Sequence, residues 1–285
     1  MSHEACNKRT FSDDDIQELR AELKIGILGT VNEQGLPHLT MISSLMAHSP
    51  TEVVWGQFTE GTSKTFIRQN PKVGFLIMSL AREYWRGKAT FTHIEQSGEA
   101  YERYNNQPMF RYNAYFGVHS VYFMDLIGHS GRKSLPMGAV VGASVQTLLG
   151  RSLALRRSRV QVLNSWTRAL FNKLDNLKFL SYVGEDGYPI IFPVIQAQAL
   201  DGEQMIFSTS AFRDELSAIP PGTTCALFGL TLDMEDVLLR GCYEGVRRVG
   251  GMRCGVLRVD WVYNSMPPVP GQIYPPVELK AVEFS

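Results

Sequence analysis

The chain has 285 residues, of which 44% are hydrophobic, and its 28 basic and 28 acidic residues give a formal net charge of zero. This length allows a sizeable core and suggests two domains of ordinary size. The balanced charge excludes the strongly basic surface of a typical nucleic-acid-binding protein, so we expect no nucleic-acid partner.

The cysteines and the apolar segments indicate the compartment. No CxxC or CxxH spacing occurs, so neither a zinc site nor a disulfide framework is predicted. The N-terminal residues 1–15 are polar and lack the apolar core of a signal peptide. The longest mostly apolar run, residues 137–149, is too short to cross a bilayer. We therefore expect a cytoplasmic protein with reduced thiols and no membrane partner.

In the first half of the chain, short apolar segments alternate with turn residues. Ser12 is a suitable N-cap for a first helix, and a second helix is predicted from Thr62 to the stop at Asn70-Pro71. The predicted strands cover residues 24–31, 36–46, 53–58, 72–79, 84–94 and 118–127. Short strands with one helix inserted after the third suggest a closed or nearly closed antiparallel barrel.

The segment Thr62-Ser63-Lys64 lies where the third strand leads into the inserted helix. A helix start leaves backbone N–H groups without helical partners, and two hydroxyls and a lysine beside them make a plausible phosphate site. The alternative is that Thr62 is only an N-cap and Lys64 a solvated surface charge. Taken alone, these three residues favour the N-cap and the surface charge. Support for a phosphate site must come from other parts of the sequence.

A change of composition separates two halves. Residues 136–150 are small and apolar, and a helical spacing joins Leu163, Trp166, Leu170 and Leu174. We predict an N-terminal domain over residues 1–135, a helical connector over 136–176 and a C-terminal domain over 177–285.

The second half repeats the first. Gly35 and Gly187 lie 152 positions apart, and the same offset pairs Pro37 with Pro189. It also pairs Trp55 with Phe207. Turn residues in register over this length indicate an internal duplication. The predicted fold class is therefore mostly β with helices (α+β), with two tandem barrels.

The order of these motifs resembles the pyridoxamine 5′-phosphate oxidase-like, FMN-binding split-barrel family. The residues that carry the resemblance are Gly35, Pro37, residues 53–56, Thr62-Ser63-Lys64, Asn70-Pro71-Lys72-Val73 and Gly87. The resemblance covers residues 20–128 and, more weakly, residues 177–262. It implies bound FMN, whose phosphate is held at Thr62, Ser63 and Lys64.

The resemblance also implies where the isoalloxazine ring lies. The residues of the second and third strands that it places along the ring are Thr40, Met41, Ile42, Ser43, Gly56 and Gln57. A basic residue of the fifth strand near the phosphate is Lys88, or Arg86 if the register is shifted by two. Gly87 suits a close backbone approach.

Two departures from the family pattern limit the function. Thr40 stands where true pyridoxamine phosphate oxidases usually have an arginine, and the basic C-terminal substrate motif is missing. We therefore do not expect oxidation of pyridoxamine phosphate. In the second copy, Arg213-Asp214-Glu215 replaces the hydroxyls and the lysine, and its carboxylates would repel a phosphate. The second site is predicted to be degenerate.

The resulting hypothesis is an FMN-binding flavoprotein and a flavin-dependent oxidoreductase that acts on a small-molecule substrate with an external electron donor. The flavin supplies the chemistry, so no catalytic residue is named. The alternatives are a haem-binding or haem-degrading protein, a deazaflavin user, or a non-enzymatic flavin-binding protein. Family members are dimers with the flavin between subunits, which leaves a homodimer or a monomer with an internal pseudo-dimer.

The positions of the histidines and of Trp55 indicate which other ligand contacts the chain could make. No HxxxH or HxH spacing occurs, so no metal site is predicted. His38 or His119 could serve as a haem ligand, although a hydrogen-bonded structural histidine is the commoner outcome. Trp55 could stack on a flavin, but its place within a strand favours the barrel core.

Overall fold

The computed structural model describes residues 6–58, 61–107, 117–154, 160–231, 233, 235–265 and 271–278. The chain divides into two compact units. Unit 1 comprises Met1–Leu135 together with the short segment Val183–Ile191, and unit 2 comprises Pro136–Tyr182 and Phe192–Ser285.

Unit 1 is built around an antiparallel sheet. Its strands are β1 (Lys24–Val31), β2 (Pro37–Met41), β3 (Met46–Ser49), β4 (Glu52–Gln57), β5 (Lys72–Ser79), β6 (Glu83–Glu95), β7 (Ser120–His129) and β8 (Lys133–Ser134). Its helices are α1 (Asp13–Leu19), α2 (Thr62–Gln69) and α3 (Glu99–Asn106). The strand order is β2-β1-β5-β6-β7-β4-β3, with β8 paired to β6.

The predicted second strand over residues 36–46 is wrong, because the structure divides it into β2 and β3. The backbone N–H of Leu45 donates to the carbonyl of Ile42, which forms a turn between the two strands. The N–H of Ile42 donates in turn to the carbonyl of Gly26, at 2.8 Å. The chain can therefore leave one edge of the sheet and return at the other edge.

The core of unit 1 is rich in aromatic residues. Trp55 is 2% exposed and stacks on Tyr122 with ring centroids 4.1 Å apart. The prediction that Trp55 belongs to the barrel core is confirmed. The predicted cap of α1 is also confirmed, since the Ser12 hydroxyl accepts from the N–H of Asp15. The Asp15 carboxylate then accepts from the indole N–H of Trp85 at 2.7 Å, which ties the helix to the sheet.

The segment Val183–Ile191 packs closely on the sheet of unit 1. A Cβ atom at Gly74 would overlap the carbonyl of Pro189, and one at Gly29 would lie 3.0 Å from the Cβ of Pro189. The hydroxyls of Tyr188 and Thr90 are 2.8 Å apart. Gly74 is therefore required by the close approach of one backbone to another, whereas Gly29 makes room for neighbouring side chains.

Unit 2 contains the second sheet and further helices. The helices are α4 (Met137–Ala154), α5 (Ser165–Asn172) and α6 (Arg213–Ala218), the last preceded by a 3₁₀ turn (Ser210–Phe212). The strands of this sheet are β9 (Leu177–Val183), β10 (Pro189–Pro193), β11 (Gln198–Ala199), β12 (Gln204–Ser208), β13 (Thr224–Leu230), β14 (Asp236–Val249), β15 (Met252–Asn264) and β16 (Gly271–Tyr274). Among the described helices, none combines the length and the hydrophobicity that crossing a bilayer requires.

The internal duplication is confirmed by the strand order. The second sheet runs β10-β9-β13-β14-β15-β12-β11, which matches the first sheet strand for strand, and β16 pairs with β15. The turn hydrogen bonds also match. The N–H of Val194 donates to the carbonyl of Lys178 at 2.8 Å, as that of Ile42 donates to Gly26. The predicted fold class, α+β with two tandem copies, is therefore confirmed.

Candidate functional site

The start of α2 offers backbone donors without a side-chain cap. Its N-cap is Gly61, so Thr62 is the first helical residue and the reading of Thr62 as an N-cap is wrong. The first turn contains no acidic residue. A Cβ atom at Gly61 would meet no described atom within 4 Å, so no described side chain crowds this glycine. Such a helix start carries partial positive charge that an anion can use.

Two hydroxyl contacts join this helix start to β2. His38 and Thr40 lie two residues apart on the strand, so their side chains share one face. The hydroxyls of Thr40 and Ser63 are 2.6 Å apart, and His38 Nε2 lies 3.1 Å from the hydroxyl of Thr62. The structure thus brings together three of the predicted site residues.

Lys64 follows in the same turn of α2. Its side chain is buried, with 7% of the residue exposed. The alternative reading of Lys64 as a solvated surface charge is therefore wrong.

The residues expected along a flavin ring differ in their burial. Met41, Ile42 and Ser43 are half-buried, and Ile42 packs on the core of unit 1. These three lie at the end of β2 and in the turn that follows it, so they do not form one continuous strand. Their contact with a ring remains a prediction.

Gly56 has a packing role in the structure. A Cβ atom at Gly56 would lie 2.8 Å from a methyl group of Val118, so the glycine makes room for a neighbouring side chain. The hydroxyl of Ser44 donates to the carbonyl of Gly56 at 2.9 Å and accepts from its N–H at 3.1 Å. A flavin contact by Gly56 remains a prediction.

Gln57 belongs to a small polar network at the end of β4. Its side-chain oxygen accepts from the hydroxyl of Tyr122 at 3.3 Å, and that hydroxyl also accepts from Arg68 of α2 at 3.3 Å. The network fixes the orientation of Gln57 beside the helix that carries Lys64. Its contact with a ring remains a prediction.

The described contacts of Lys88 lie at the segment Val183–Ile191 and not at the start of α2. Its ammonium group forms an ion pair with Asp186 at 2.5 Å. Lys72 donates to the backbone carbonyl of Asp186 at 2.7 Å. Burial opposes ionisation of Asp186, but hydrogen bonds from Lys88 and from the N–H of Tyr188 outweigh it and lower the pKa of the carboxyl group. The role of Lys88 beside a phosphate remains a prediction, as does that of the buried Arg86.

Sequence reasoning missed how some of these residues act. The alternation of His38 and Thr40 in β2 could have shown that both side chains point to the same helix. The contact between Ser44 and Gly56, and the one between Lys88 and Asp186, join residues far apart in the sequence. No local pattern of residues marks such pairs.

The corresponding helix start in the second repeat has different chemistry. Helix α6 begins at Arg213 and has Asp214 and Glu215 in its first turn. On β10, the positions that correspond to His38 and Thr40 hold Ile190 and Phe192. These apolar side chains offer no hydroxyl or imidazole contact. The loss of a phosphate site in this repeat remains a prediction.

No protein-family model matches this chain, and no curated protein matches it. An FMN-binding protein from Syntrophomonas wolfei is 15% identical, and the match covers 43% of this chain and 88% of that one with a TM-score of 0.35. HupZ of Group A Streptococcus is 14% identical, with 42% and 91% covered and a TM-score of 0.34. An F420 reductase is 16% identical, with 42% and 98% covered and a TM-score of 0.33. This chain is thus similar to these solved structures over 42–43% of its own length.

Proposed function

We propose that this protein binds FMN non-covalently through its first repeat, with the phosphate at the start of α2. The observation that supports the proposal is an uncapped helix start flanked by hydroxyls and a buried lysine. Backbone N–H groups and the helix dipole both favour an anion at this place. No described atom crowds Gly61 at this helix start.

The side chains add donors to those of the backbone. Thr62 and Ser63 each carry a hydroxyl that can donate to a phosphate oxygen. Lys64 contributes a charge-assisted donor from the same turn. The absence of Asp and Glu from this turn removes the repulsion that a phosphate would meet at α6.

The resemblance of the sequence implies that the ring lies along residues 40–43 and along Gly56 and Gln57. Met41, Ile42 and Ser43 are half-buried, so each keeps some surface for contact with a ligand. When bound, FMN supplies redox chemistry, and we propose that the protein is an oxidoreductase for a small molecule. The residues of the chain bind and orient the cofactor, and we assign no catalytic residue.

The absorbance spectrum of the purified protein is the first test. A flavin spectrum supports the proposal, whereas a haem or deazaflavin spectrum contradicts it in favour of one of the alternatives. The second test compares FMN with riboflavin, which lacks the phosphate, by quenching of flavin fluorescence. Tighter binding of FMN is expected, and equal affinities would contradict a phosphate site.

Lys64→Ala locates the phosphate. The variant should weaken FMN binding by about 1.5–3 kcal/mol because a charge-assisted hydrogen bond is lost. Riboflavin binding should change little. Lys173→Ala is the matched control, because Lys173 is an exposed lysine in unit 2. An unchanged FMN affinity in Lys64→Ala would remove Lys64 from the site.

A further inference from the structure

We propose that His38 is a positioning residue that keeps the Thr62 hydroxyl available as a donor to a bound phosphate. The inference rests on the proposed function, because it concerns the same site. His38 is 3% exposed, and its Nε2 atom lies 3.1 Å from the Thr62 hydroxyl. The ring of Phe66 meets the imidazole edge-on, with centroids 5.3 Å apart. The imidazole is therefore held in place by the helix that it contacts.

The direction of the hydrogen bond decides what Thr62 can do. A hydroxyl has one hydrogen to donate and can accept two hydrogen bonds. If Nε2 of His38 carries a hydrogen and donates it, the hydrogen of the Thr62 hydroxyl stays available for a ligand. If Nε2 is unprotonated, the Thr62 hydroxyl must donate to it, and the helix start loses one donor.

The hydroxyl hydrogens of the neighbouring pair, Thr40 and Ser63, can be counted in the same way. Thr40 and Ser63 are 2.6 Å apart, and one hydrogen suffices for the bond between them. The other hydrogen of the pair remains free to donate, whichever of the two residues carries it. With His38 as a donor to Thr62, two hydroxyl hydrogens are thus available beside the backbone N–H groups of α2.

The residues at this contact differ in their exposure to solvent. His38 and Ser63 are buried, whereas Thr62 is exposed. The Thr62 hydroxyl is the more accessible of these groups to a ligand, and the imidazole of His38 is buried. A purely structural role, in which His38 only ties β2 to α2, would affect the stability of the fold and not the discrimination between FMN and riboflavin.

The test measures FMN and riboflavin affinities of the full chain with substitutions at His38. His38→Met removes the donor at similar size, whereas His38→Gln retains an N–H donor near the place of Nε2. His38→Met should lower the preference for FMN over riboflavin about tenfold, because one hydrogen bond to a charged group is lost. His38→Gln should restore most of this preference. His93→Met is the matched control, since His93 is exposed and also contacts a threonine hydroxyl, that of Thr92.

A double-mutant cycle with Thr62→Val tests whether His38 acts through the Thr62 hydroxyl. Thr62 is exposed, so its replacement should leave the fold intact. If His38 acts through the Thr62 hydroxyl, His38→Met should have no further effect on FMN preference in the Thr62→Val background. Additive effects of the two substitutions would overturn the inference.

The outcomes distinguish the inference from the proposed function. If the wild-type protein prefers FMN and His38→Met leaves the preference unchanged, the inference is wrong and the proposed function stands. Equal losses in His38→Met and His38→Gln would also contradict the inference, because they indicate a structural role. If the wild-type protein shows no preference for FMN over riboflavin, both are wrong.

Discussion

The two repeats have the same strand order and differ where the inserted helix begins. In the first repeat the start of α2 has hydroxyls and a buried lysine, whereas in the second the start of α6 has two carboxylates. Gly35 and Gly187 both keep positive φ angles, 74° and 81°, at equivalent turns. Backbone features have thus been kept in both copies while the side chains at the helix start have diverged. The shared strand order therefore does not determine the chemistry at the start of the inserted helix.

The helices that cover the equivalent strands also differ between the repeats. In unit 1 the hydroxyl of Tyr104, from α3, donates to the carbonyl of Ser44 at 2.6 Å. In unit 2 the hydroxyl of Thr147, from α4, accepts from the N–H of Ser208, the counterpart of Gly56, at 2.9 Å. In the first repeat the covering helix α3 lies between β6 and β7 in the chain. In the second repeat α4 precedes all the strands of the sheet. Packing on this face therefore does not depend on chain order.

The largest expected effect comes from giving α2 the charges of α6. Ser63→Asp together with Lys64→Glu should weaken FMN binding more than about hundredfold, because two carboxylates replace a donor and a cation beside the phosphate. Fluorescence titration with FMN measures the change. Lys173→Glu makes a charge reversal at an exposed site and should leave binding unchanged. Unchanged FMN affinity in the double variant would contradict the proposal that the side chains at the helix start distinguish the two repeats.

The second prediction concerns Gly26 and its counterpart Lys178. A Cβ atom at Gly26 would overlap the carbonyl of Ile42, whereas Lys178 is fully buried and donates to the carbonyls of Lys173 and Ile195. Burial lowers the pKa of Lys178 from 10.5 to about 8. The second repeat thus carries a buried titratable group that the first lacks at this position.

This shift predicts the pH dependence of stability. Between pH 8 and 10.5 the unfolded chain binds more protons at Lys178 than the folded chain, so the free energy of unfolding rises with pH. From pH 8 to 10 the wild type should gain about 2 kcal/mol more than Lys178→Met. Chemical denaturation at both pH values measures the difference. Lys24, whose pKa burial also lowers to about 8, remains in both proteins, so its contribution cancels. Equal pH dependence of the two proteins would contradict the assignment.

The third prediction concerns the bonds that hold β4 and β12. Ser44 is 2% exposed and makes two hydrogen bonds to the backbone of Gly56, and Gln196 donates to the carbonyl of Ser208 at the equivalent place, at 2.9 Å. Ser44→Ala should lower the free energy of unfolding by about 1–3 kcal/mol, because buried backbone groups lose their partner. Chemical denaturation measures the loss. Ser43→Ala is the control at the neighbouring half-buried residue, and an equal effect of both would contradict the role of Ser44.

For the last prediction, we expect substitutions at the start of α6 to produce no FMN binding in the second repeat. Asp214→Ser together with Glu215→Lys removes the carboxylates of α6, yet β10 still has Ile190 and Phe192 where β2 has His38 and Thr40. In a chain whose first site is disabled by Lys64→Glu, these two changes should restore no FMN binding. Titration with FMN measures this. Restored binding would mean that a helix start and a lysine suffice without support from the strand.

Much of the fold was predictable because it depends on local residues. The turn glycines, the prolines and the alternation of apolar segments located both repeats, and several strand bounds, such as Lys24–Val31 and Lys72–Ser79, match the prediction. The break after Met41 was not predictable, since a turn and a contact of Ser44 with distant Gly56 produce it. An apolar segment alone does not reveal such a turn.

The candidate site was predictable only in part. The hydroxyls and the lysine at the start of α2 follow from the sequence motif, but the contact of Thr40 with Ser63 was not predicted. The buried state of Lys64 and the contact of His38 with Thr62 depend on how β2 and α2 pack. The partner of Lys88 lies 98 residues away, which no spacing rule identifies.

The close packing of Pro189 over Gly29 and Gly74 has a practical consequence for protein engineering. A truncation after Leu135 would discard Val183–Ile191 and uncover the face of the sheet at Gly29 and Gly74, where neither glycine has a side chain to cover the backbone. We expect such a fragment to aggregate on expression. A minimal version of the first repeat should therefore keep the segment Val183–Ile191 attached to the N-terminal part of the chain.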